Sequence, residues 1–272
     1  MRLRDVVFGV AAASAGLLLY GCLVEANRLV VERRRLRLPG WPERLNGFRI
    51  AVLADLHIRD PFSRDLARQA VSMALDEEPD MVALPGDIVG YWKPETPRLV
   101  GDALEELLLM EGNVVASPGN REYWQGCPYV LRPILGELNI RLLVNEAWRH
   151  AGITWMGLDS ANLGGPEPET TMQAAKDLEE EPIVALWHEP DVVDELPPGA
   201  ALMISGHSHG GQFRTPWGWA PMTTDNGRKY LDGFFPEAPT PLYVSRGIGT
   251  TGPPSRLYCP PEVSLLTLES SG

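Results

Sequence analysis

Cysteine is scarce in this chain. Cys22, Cys127 and Cys259 are the three cysteines in 272 residues, too few and too scattered for a disulfide framework or a thiolate zinc site. Positive charge is also short, with 24 lysines and arginines against 36 aspartates and glutamates and a net charge of −12. A general nucleic-acid binder needs clustered positive charge to neutralise phosphates, so that class is excluded. A phosphate-ester substrate is not excluded, because bound metal ions can supply positive charge locally. Long hydrophobic runs are few, which rules out a polytopic membrane protein. A hydrophobic share of 44% with 22% charged residues rules out disorder and collagen. The length suits one large domain or two small ones, and no internal repeat or linker between domains is visible.

One uncharged run stands out, residues 6–24, VVFGVAAASAGLLLYGCLV. As a helix it rises roughly 28 Å, which just covers a bilayer's hydrocarbon core. The reading is an N-terminal transmembrane helix within a membrane anchor at 1–26, followed by a catalytic domain at 27–272. A cleaved signal peptide is the main rival. The stretch ending at Cys22 loosely resembles a lipoprotein cleavage site, although Tyr20 fits poorly there. A buried core helix is the third reading. Arg28, Arg33, Arg34, Arg35 and Arg37 follow the run, against Arg2 and Arg4 before it. That imbalance favours a cytoplasmic catalytic domain on the inner membrane. The segment VVERRRLRL also reads as an exposed edge strand whose arginines discourage aggregation. Both readings hold together, since a basic strand near a membrane attracts anionic head groups.

From Arg49 onward, short apolar runs alternate with helical spacing. Strands are expected at 49–54, 81–84, 113–116, 141–144, 153–157, 183–187, 201–205, 242–245 and 263–268. Runs of this length suit strands buried on both faces. Helices are expected over 64–77, over 97–111 with Thr96 as cap and Gly112 as stop, and, more exposed, over 169–180. The fold class is therefore α/β. Residues 214–240 are rich in Trp, Pro and Gly, lack a clear period, and read as a long surface loop.

The chemistry-bearing residues sit at the ends of the apolar runs. Asp55 and His57 follow the first. Asp87 follows the second in PGD, and Asn120, Arg121 and Glu122 follow the third in PGNRE. His188 follows IVALW, and His207 and His209 follow ALMIS in GHSHGG. In open α/β sheets, ligands bind at the carboxyl ends of strands, so these clusters converge. Aspartate, asparagine and histidine form a mixed oxygen and imidazole set that suits Mn²⁺, Fe or Zn²⁺. The candidates Asp55, His57, Asp87, Asn120, His188, His207 and His209 are too many for one ion. They are about right for two divalent metal ions sharing a bridging carboxylate, an arrangement that clamps a phosphoryl group. Each residue also has a plainer reading. The aspartates could cap helices, Asn120 could sit in a turn, the histidines could be satisfied core or loop residues, and Arg121 could pair with Glu122.

The ordered set D-x-H, G-D, G-N-x-E, H and G-H-x-H resembles the calcineurin-like metallophosphoesterase superfamily. The resemblance spans residues 50–212, and the tail resembles a membrane-associated bacterial branch. It implies a two-sheet β sandwich flanked by helices. It also implies Asp55, His57 and His209 on a first ion, Asp87 as bridging carboxylate, and Asn120, His188 and His207 on a second. Mn²⁺ is the default metal, with Zn²⁺ and Fe as alternatives. Two positions depart from the family. Gly90 stands where most members have an aspartate that is not usually a ligand. Arg121 stands where most have a histidine that protonates the leaving group. Arginine does not release its proton at neutral pH, but it can grip phosphate oxygens through paired donors. That suits a leaving group that is already good, such as the phosphate released from a pyrophosphate. The Arg variant is similar to the UDP-2,3-diacylglucosamine diphosphatases of lipid A synthesis, which implies a lipid-linked pyrophosphate substrate and Arg121 and Asp87 as catalytic residues. A phosphodiesterase acting on other phospholipid or nucleotide esters is the alternative, and an inactive metal-binding scaffold is a third. Trp217, Trp219, Phe234 and Phe235 read either as an acyl-chain or membrane-contacting surface or as loop packing. His150 is expected at the surface. Arg246 either reaches the site or braces a turn.

Overall fold

The computed structural model describes residues 3–124, 126–179, 182–252 and 254–272, without the side chains of 3, 6, 7, 10, 11 and 13. In chain order the elements are α1 (Leu3–Leu23), β1 (Val30–Leu38), β2 (Phe48–Val52), α2 (Pro61–Leu75), β3 (Met81–Pro85), α3 (Thr96–Leu104), β4 (Val114–Ser117), α4 (Pro128–Glu137), β5 (Arg141–Leu142), β6 (Glu146–His150), β7 (Ile153–Gly157), α5 (Pro168–Lys176), β8 (Ile183–Leu186), β9 (Ala200–Ser205), β10 (Gly233–Phe235), β11 (Leu242–Val244) and β12 (Glu262–Ser270). Two six-stranded sheets result, ordered β1-β12-β2-β3-β4-β5 and β10-β11-β9-β8-β7-β6. Both are mixed. Strands β2 to β5 run parallel, as do β7, β8, β9 and β11, while β12 is antiparallel to β2, β6 to β7 and β10 to β11.

Side-chain alternation explains the layering, because successive residues of a strand face opposite sides. Ile50, Val52, Met81 and Ala83 of the first sheet pack against Val184, Leu186, Leu202 and Ile204 of the second, forming the core between the sheets. The opposite faces of the same strands, with Ala51, Val82 and Leu84, bury against Leu66, Ala70, Leu99, Val100, Leu131 and Leu135 of α2, α3 and α4. On the far side Met156, Ala185 and Met203 pack against Met172 and Ala175 of α5. Both sheets are thus covered on both faces, which is why their strands read as continuous apolar runs.

The parallel strands set the position of everything polar. Since β2, β3 and β4 run the same way, their carboxyl ends share one edge, and those of β8 and β9 share the corresponding edge of the second sheet. The basic segment forms the edge strand β1, parallel to β12. Its arginines find carboxylates at Arg33–Glu77, Arg34–Glu32 and Arg35–Glu269.

Several expectations need correction. Thr96 does not cap α3. It is the first helical residue, and its hydroxyl accepts from the Lys93 amide at 2.9 Å. The helix tightens to a 3₁₀ turn over Glu105–Met110 before reaching Gly112. Helix α5 is shorter than expected and buries Thr171, Met172 and Ala175. Helix α1 does form on the uncharged run, and its end joins the rest of the chain. The Arg256 amide donates to the Gly21 carbonyl at 3.2 Å, and the Cys259 amide to the buried Glu25 carboxylate at 2.7 Å. Among the described residues no helix is long and apolar enough to cross a membrane, which departs from the transmembrane helix expected over 6–24. Ala12, Ser14, Ala15 and Gly16 in that run bring little apolar area, and part of the expected anchor lies outside the described residues.

The layering generates a stability prediction. Leu186→Ala opens a hole between the sheets and is expected to cost about 3 kcal/mol, read as a lower urea midpoint at unchanged slope. Leu109→Ala, at a side chain 75% exposed, is expected to stay within about 0.5 kcal/mol of the parent.

Candidate metal centre

The converging strand ends bring the sequence candidates together. Asp55, His57 and His209 form one group of ligand atoms within 4.8 Å of one another, and Asp55, Asp87 and His188 form a second. All of these side chains are buried. The Nε2 atoms of His57 and His209 lie 3.1 Å apart. His57 Nε2 is 3.3 Å from Asp87 Oδ2, His188 Nε2 is 3.4 Å from Asp87 Oδ1, and His209 Nε2 is 3.6 Å from Asp55 Oδ1. Asp55 and Asp87 therefore reach all three imidazoles from between them. His207 belongs to neither group. Its ring meets that of His188 edge-on at 5.0 Å, and its Nε2 lies 2.6 Å from the Asp225 carbonyl.

Backbone strain concentrates at these positions. Asp55, His57, Asp87, His207 and His209 all have positive φ, between 49° and 67°, in a left-handed region that non-glycine residues rarely adopt. Such conformations persist only when the surroundings enforce them, and they gather at functional sites. The enforcing contacts are visible. The His207 amide donates to Asp55 Oδ2 at 2.9 Å, tying the second sheet to the first. The Arg121 amide donates to Asp87 Oδ1 at 2.8 Å. Gly119 and Gly206 have no side chain because there is no room for one. A Cβ on Gly119 would strike Asp87, and one on Gly206 would strike Asp55.

The donor set fits divalent cations. His188 Nδ1 lies 2.7 Å from the Pro85 carbonyl and donates to it, which leaves Nε2 as the lone-pair nitrogen. That Nε2 is buried without a hydrogen-bond partner, and so is Asn120 Oδ1. Buried orphan atoms are uncommon and mark where an ion or a water binds. Two buried carboxylates and several imidazole nitrogens, with no thiolate, are the ligands that Mn²⁺, Fe and Zn²⁺ accept.

The electrostatics agree. Burial alone would push the Asp55 carboxyl up, but His209, His57 and His188 hold it below the usual carboxylate range. Asp87 behaves in the same way, held down by His188 and His57. Burial would lower His188, yet Asp87 and Asp55 raise it well above the ordinary imidazole value. His209 goes the other way, pushed well down by burial, with His57 and Arg256 adding to the effect against Asp55.

Some supporting residues escape a reading of the sequence alone. Glu122 is buried, and its carboxylate accepts from the amides of Asp87 (3.1 Å), Val89 (3.0 Å) and Gly119 (2.6 Å), clamping two strand ends. It does not pair with Arg121, whose guanidinium lies 4.0 Å from the Trp124 ring centre. Burial and the Asp87 charge push Glu122 up to about 8, against the amides that favour its ionised form. Its signal was the fourth position of G-N-x-E. Glu189 is also buried and accepts from Ser160 Oγ at 2.6 Å and the Ala161 amide at 3.0 Å. It thereby holds the loop whose Asn162 Nδ2 comes within 3.3 Å of His207 Nε2. Arg256 is fully buried, donates to the carbonyls of Arg246, Gly247 and Gly249, and comes within 3.4 Å of His209 Nδ1. No local pattern marks it. Arg246 turns out to be structural, paired with Glu262 at 2.5 Å. His150 is half-buried rather than fully exposed, stacked on Trp148 with its Nε2 2.7 Å from Asn113 Oδ1. Phe234 and Phe235 pack on the two cores, while Trp217 and Trp219 stay exposed.

Comparison with known proteins agrees with this arrangement. The profile of the calcineurin-like phosphoesterase family matches residues 48–211. The chain is 26% identical to the metallophosphoesterase YkuE of Bacillus subtilis, over 97% of this chain and 96% of that one. It is 27% identical to the phosphodiesterase YaeI of Escherichia coli, over 86% and 87%. It is 28% identical to the UDP-2,3-diacylglucosamine pyrophosphatase LpxG of Chlamydia trachomatis, over 89% and 90%.

Glu122→Gln tests the clamp. An amide nitrogen would face an N–H donor that the carboxylate now satisfies. The variant is expected to lose about 1–3 kcal/mol of stability and to bind divalent cations more weakly, by thermal unfolding and calorimetric titration.

Proposed function

The chain belongs to the calcineurin-like phosphoesterase family and is a metal-dependent hydrolase; from that premise we propose that it is a dinuclear enzyme cleaving the pyrophosphate of a lipid-linked nucleotide sugar, of the UDP-2,3-diacylglucosamine kind. In this reading Asp55, His57 and His209 hold one ion and Asp87 bridges to a second, held by Asn120, His188 and His207. The orphaned His188 Nε2 and Asn120 Oδ1 carry the dinuclear part of the reading. The hydrogen bond from His207 Nε2 to the Asp225 carbonyl leaves Nδ1 as that residue's ligand atom. Ions held there would supply charge for the phosphoryl oxygens and activate a water as nucleophile, with Mn²⁺ the first choice and Zn²⁺ or Fe alternatives.

The chain's own residues do the rest. The Pro85 carbonyl fixes the tautomer of His188. Glu122 holds the Asp87 and Gly119 backbones in place. Arg121, stacked on the half-exposed Trp124, has no carboxylate partner among the described residues and is free to grip phosphate oxygens. Water adds to one phosphorus, the bond to the bridging oxygen breaks, and the products are UMP and a lipid sugar phosphate. The departing phosphate keeps the electron pair and needs no proton from a side chain, which matches an arginine at this position.

We place residues 1–26 at the inner membrane as an anchoring segment and residues 27–272 in the cytoplasm as the catalytic domain. The uncharged run, the arginines after it and the exposed Leu17, Leu18, Leu19 and Leu23 support this. Recovery of the full chain in the soluble fraction after gentle lysis would count against it.

The deciding assay offers UDP-2,3-diacylglucosamine and an aryl phosphodiester side by side with Mn²⁺. UMP release with little diester turnover is expected. Turnover of the diester alone keeps the metal centre and discards the pyrophosphate substrate. Metal analysis is expected to give two ions per chain, reduced in Asp87→Ala, which also loses turnover. Arg121→Ala is expected to lower kcat/KM on the pyrophosphate about 100-fold, a typical effect of removing one donor to a developing charge, with partial recovery in Arg121→Lys.

A further inference from the structure

Beside the metal-ligand cluster lies a hollow of about 330 Å³ that shares His209 with it. Its size falls in the range of small-molecule sites. Phe213, Met222, Thr223 and Thr224 form its walls, and among the described residues no Asp, Glu, Lys or Arg lines it.

Most of its side-chain hydrogen-bonding groups already have protein partners. Gln212 Nε2 donates to the Thr251 carbonyl at 3.0 Å, and the Thr251 amide donates back to Gln212 Oε1 at 2.9 Å. Ser208 Oγ donates to the Leu231 carbonyl at 2.5 Å, and Thr224 Oγ1 to the His207 carbonyl at 3.4 Å. A sugar or a nucleotide base entering here would lose water and find few free partners, which is costly. A hydrocarbon would lose nothing.

The rim continues the same chemistry. Met222 is 60% exposed, and the preceding turn carries Trp217 and Trp219, 78% and 61% exposed. Thr215, Pro216 and Gly218 of that turn share a neighbouring hollow with Tyr20 of α1. The apolar rim therefore reaches Met222 and the tryptophan turn, and the hollow beyond it toward α1 is charged, with Glu25, Arg28 and Arg214 in its lining.

We propose that this hollow is a subsite for the hydrocarbon part of the phosphoester substrate, with Phe213 and Met222 setting the preference for an alkyl or acyl group. The assignment rests on the metallophosphoesterase reading, but not on which head group is cleaved.

The test uses the full chain with Mn²⁺ and alkyl p-nitrophenyl phosphodiesters from methyl to octyl, below their micelle concentrations. Each methylene that enters the hollow is expected to raise kcat/KM about fourfold, from the usual gain per buried methylene. Met222→Asp and Thr223→Asp change exposed residues of the hollow and are expected to flatten this slope, read as a fall in the ratio of octyl to methyl kcat/KM. Calorimetric binding of octyl phosphate against methyl phosphate, in the parent and in Met222→Asp, supplies a second readout. A flat series in the parent, or a slope untouched by both variants, overturns the subsite. If no diester is turned over, the proposed activity fails on its own, and the calorimetry still decides the subsite.

Discussion

Asp55 and Asp87 hold their carboxylates out of water at the seam where two sheets meet. Removing a carboxylate from water costs several kcal/mol even after the surroundings relax, unless opposite charge is close. The imidazoles of His57, His188 and His209 surround the pair and supply part of the counter-charge, His188 above all. Divalent cations would supply the rest, and the surrounding structure is built around that carboxylate and imidazole cluster. The parallel strands exist in register so that their ends meet there. The strained residues and the glycines beside them let backbone and ligands approach closely.

A second layer keeps the ligands where they are. Glu122 and Glu189 are buried acids whose partners are mostly backbone amides, and each holds a loop that carries part of the centre. Arg256 does the converse with carbonyls. It holds the segment behind His209, and its own amide is held by Gly21 at the end of α1. Buried polar groups that satisfy several backbone partners at once rigidify a site. The N-terminal segment is thereby joined to the segment that braces a ligand.

Much of this was legible in the residues. The apolar runs announced the strands because both sheets are covered on both faces. The candidate ligands stood out because each interrupts an apolar run where a strand ends. Other elements left weaker signals. Helix α4 carries Pro133 inside it and buries few apolar residues, so its helical period is faint. Strand β10 is three residues long within a segment rich in Trp, Pro and Gly. Strand β6, Glu146–His150, is half-exposed and polar. In β1 the arginines obscure an alternation that the parallel pairing with β12 makes plain.

The sequence by itself determined which residue types reach the strand ends, and hence the class of ion they suit. It also set the order of the strands along the chain, since local apolar patterning decides what is buried. Only the tertiary structure decided how the two groups of strand ends face each other. The His207 amide meets Asp55, and His57 meets His209, across 152 residues of chain. It alone turned Glu122 inward, left Arg121 on Trp124, buried Arg256 behind His209 and closed an apolar hollow beside it. Such contacts depend on the packing of one sheet on another. Nothing in the local spacing of residues encodes that packing, because burial of apolar area is non-directional and long-range pairing is selected only once the whole core forms.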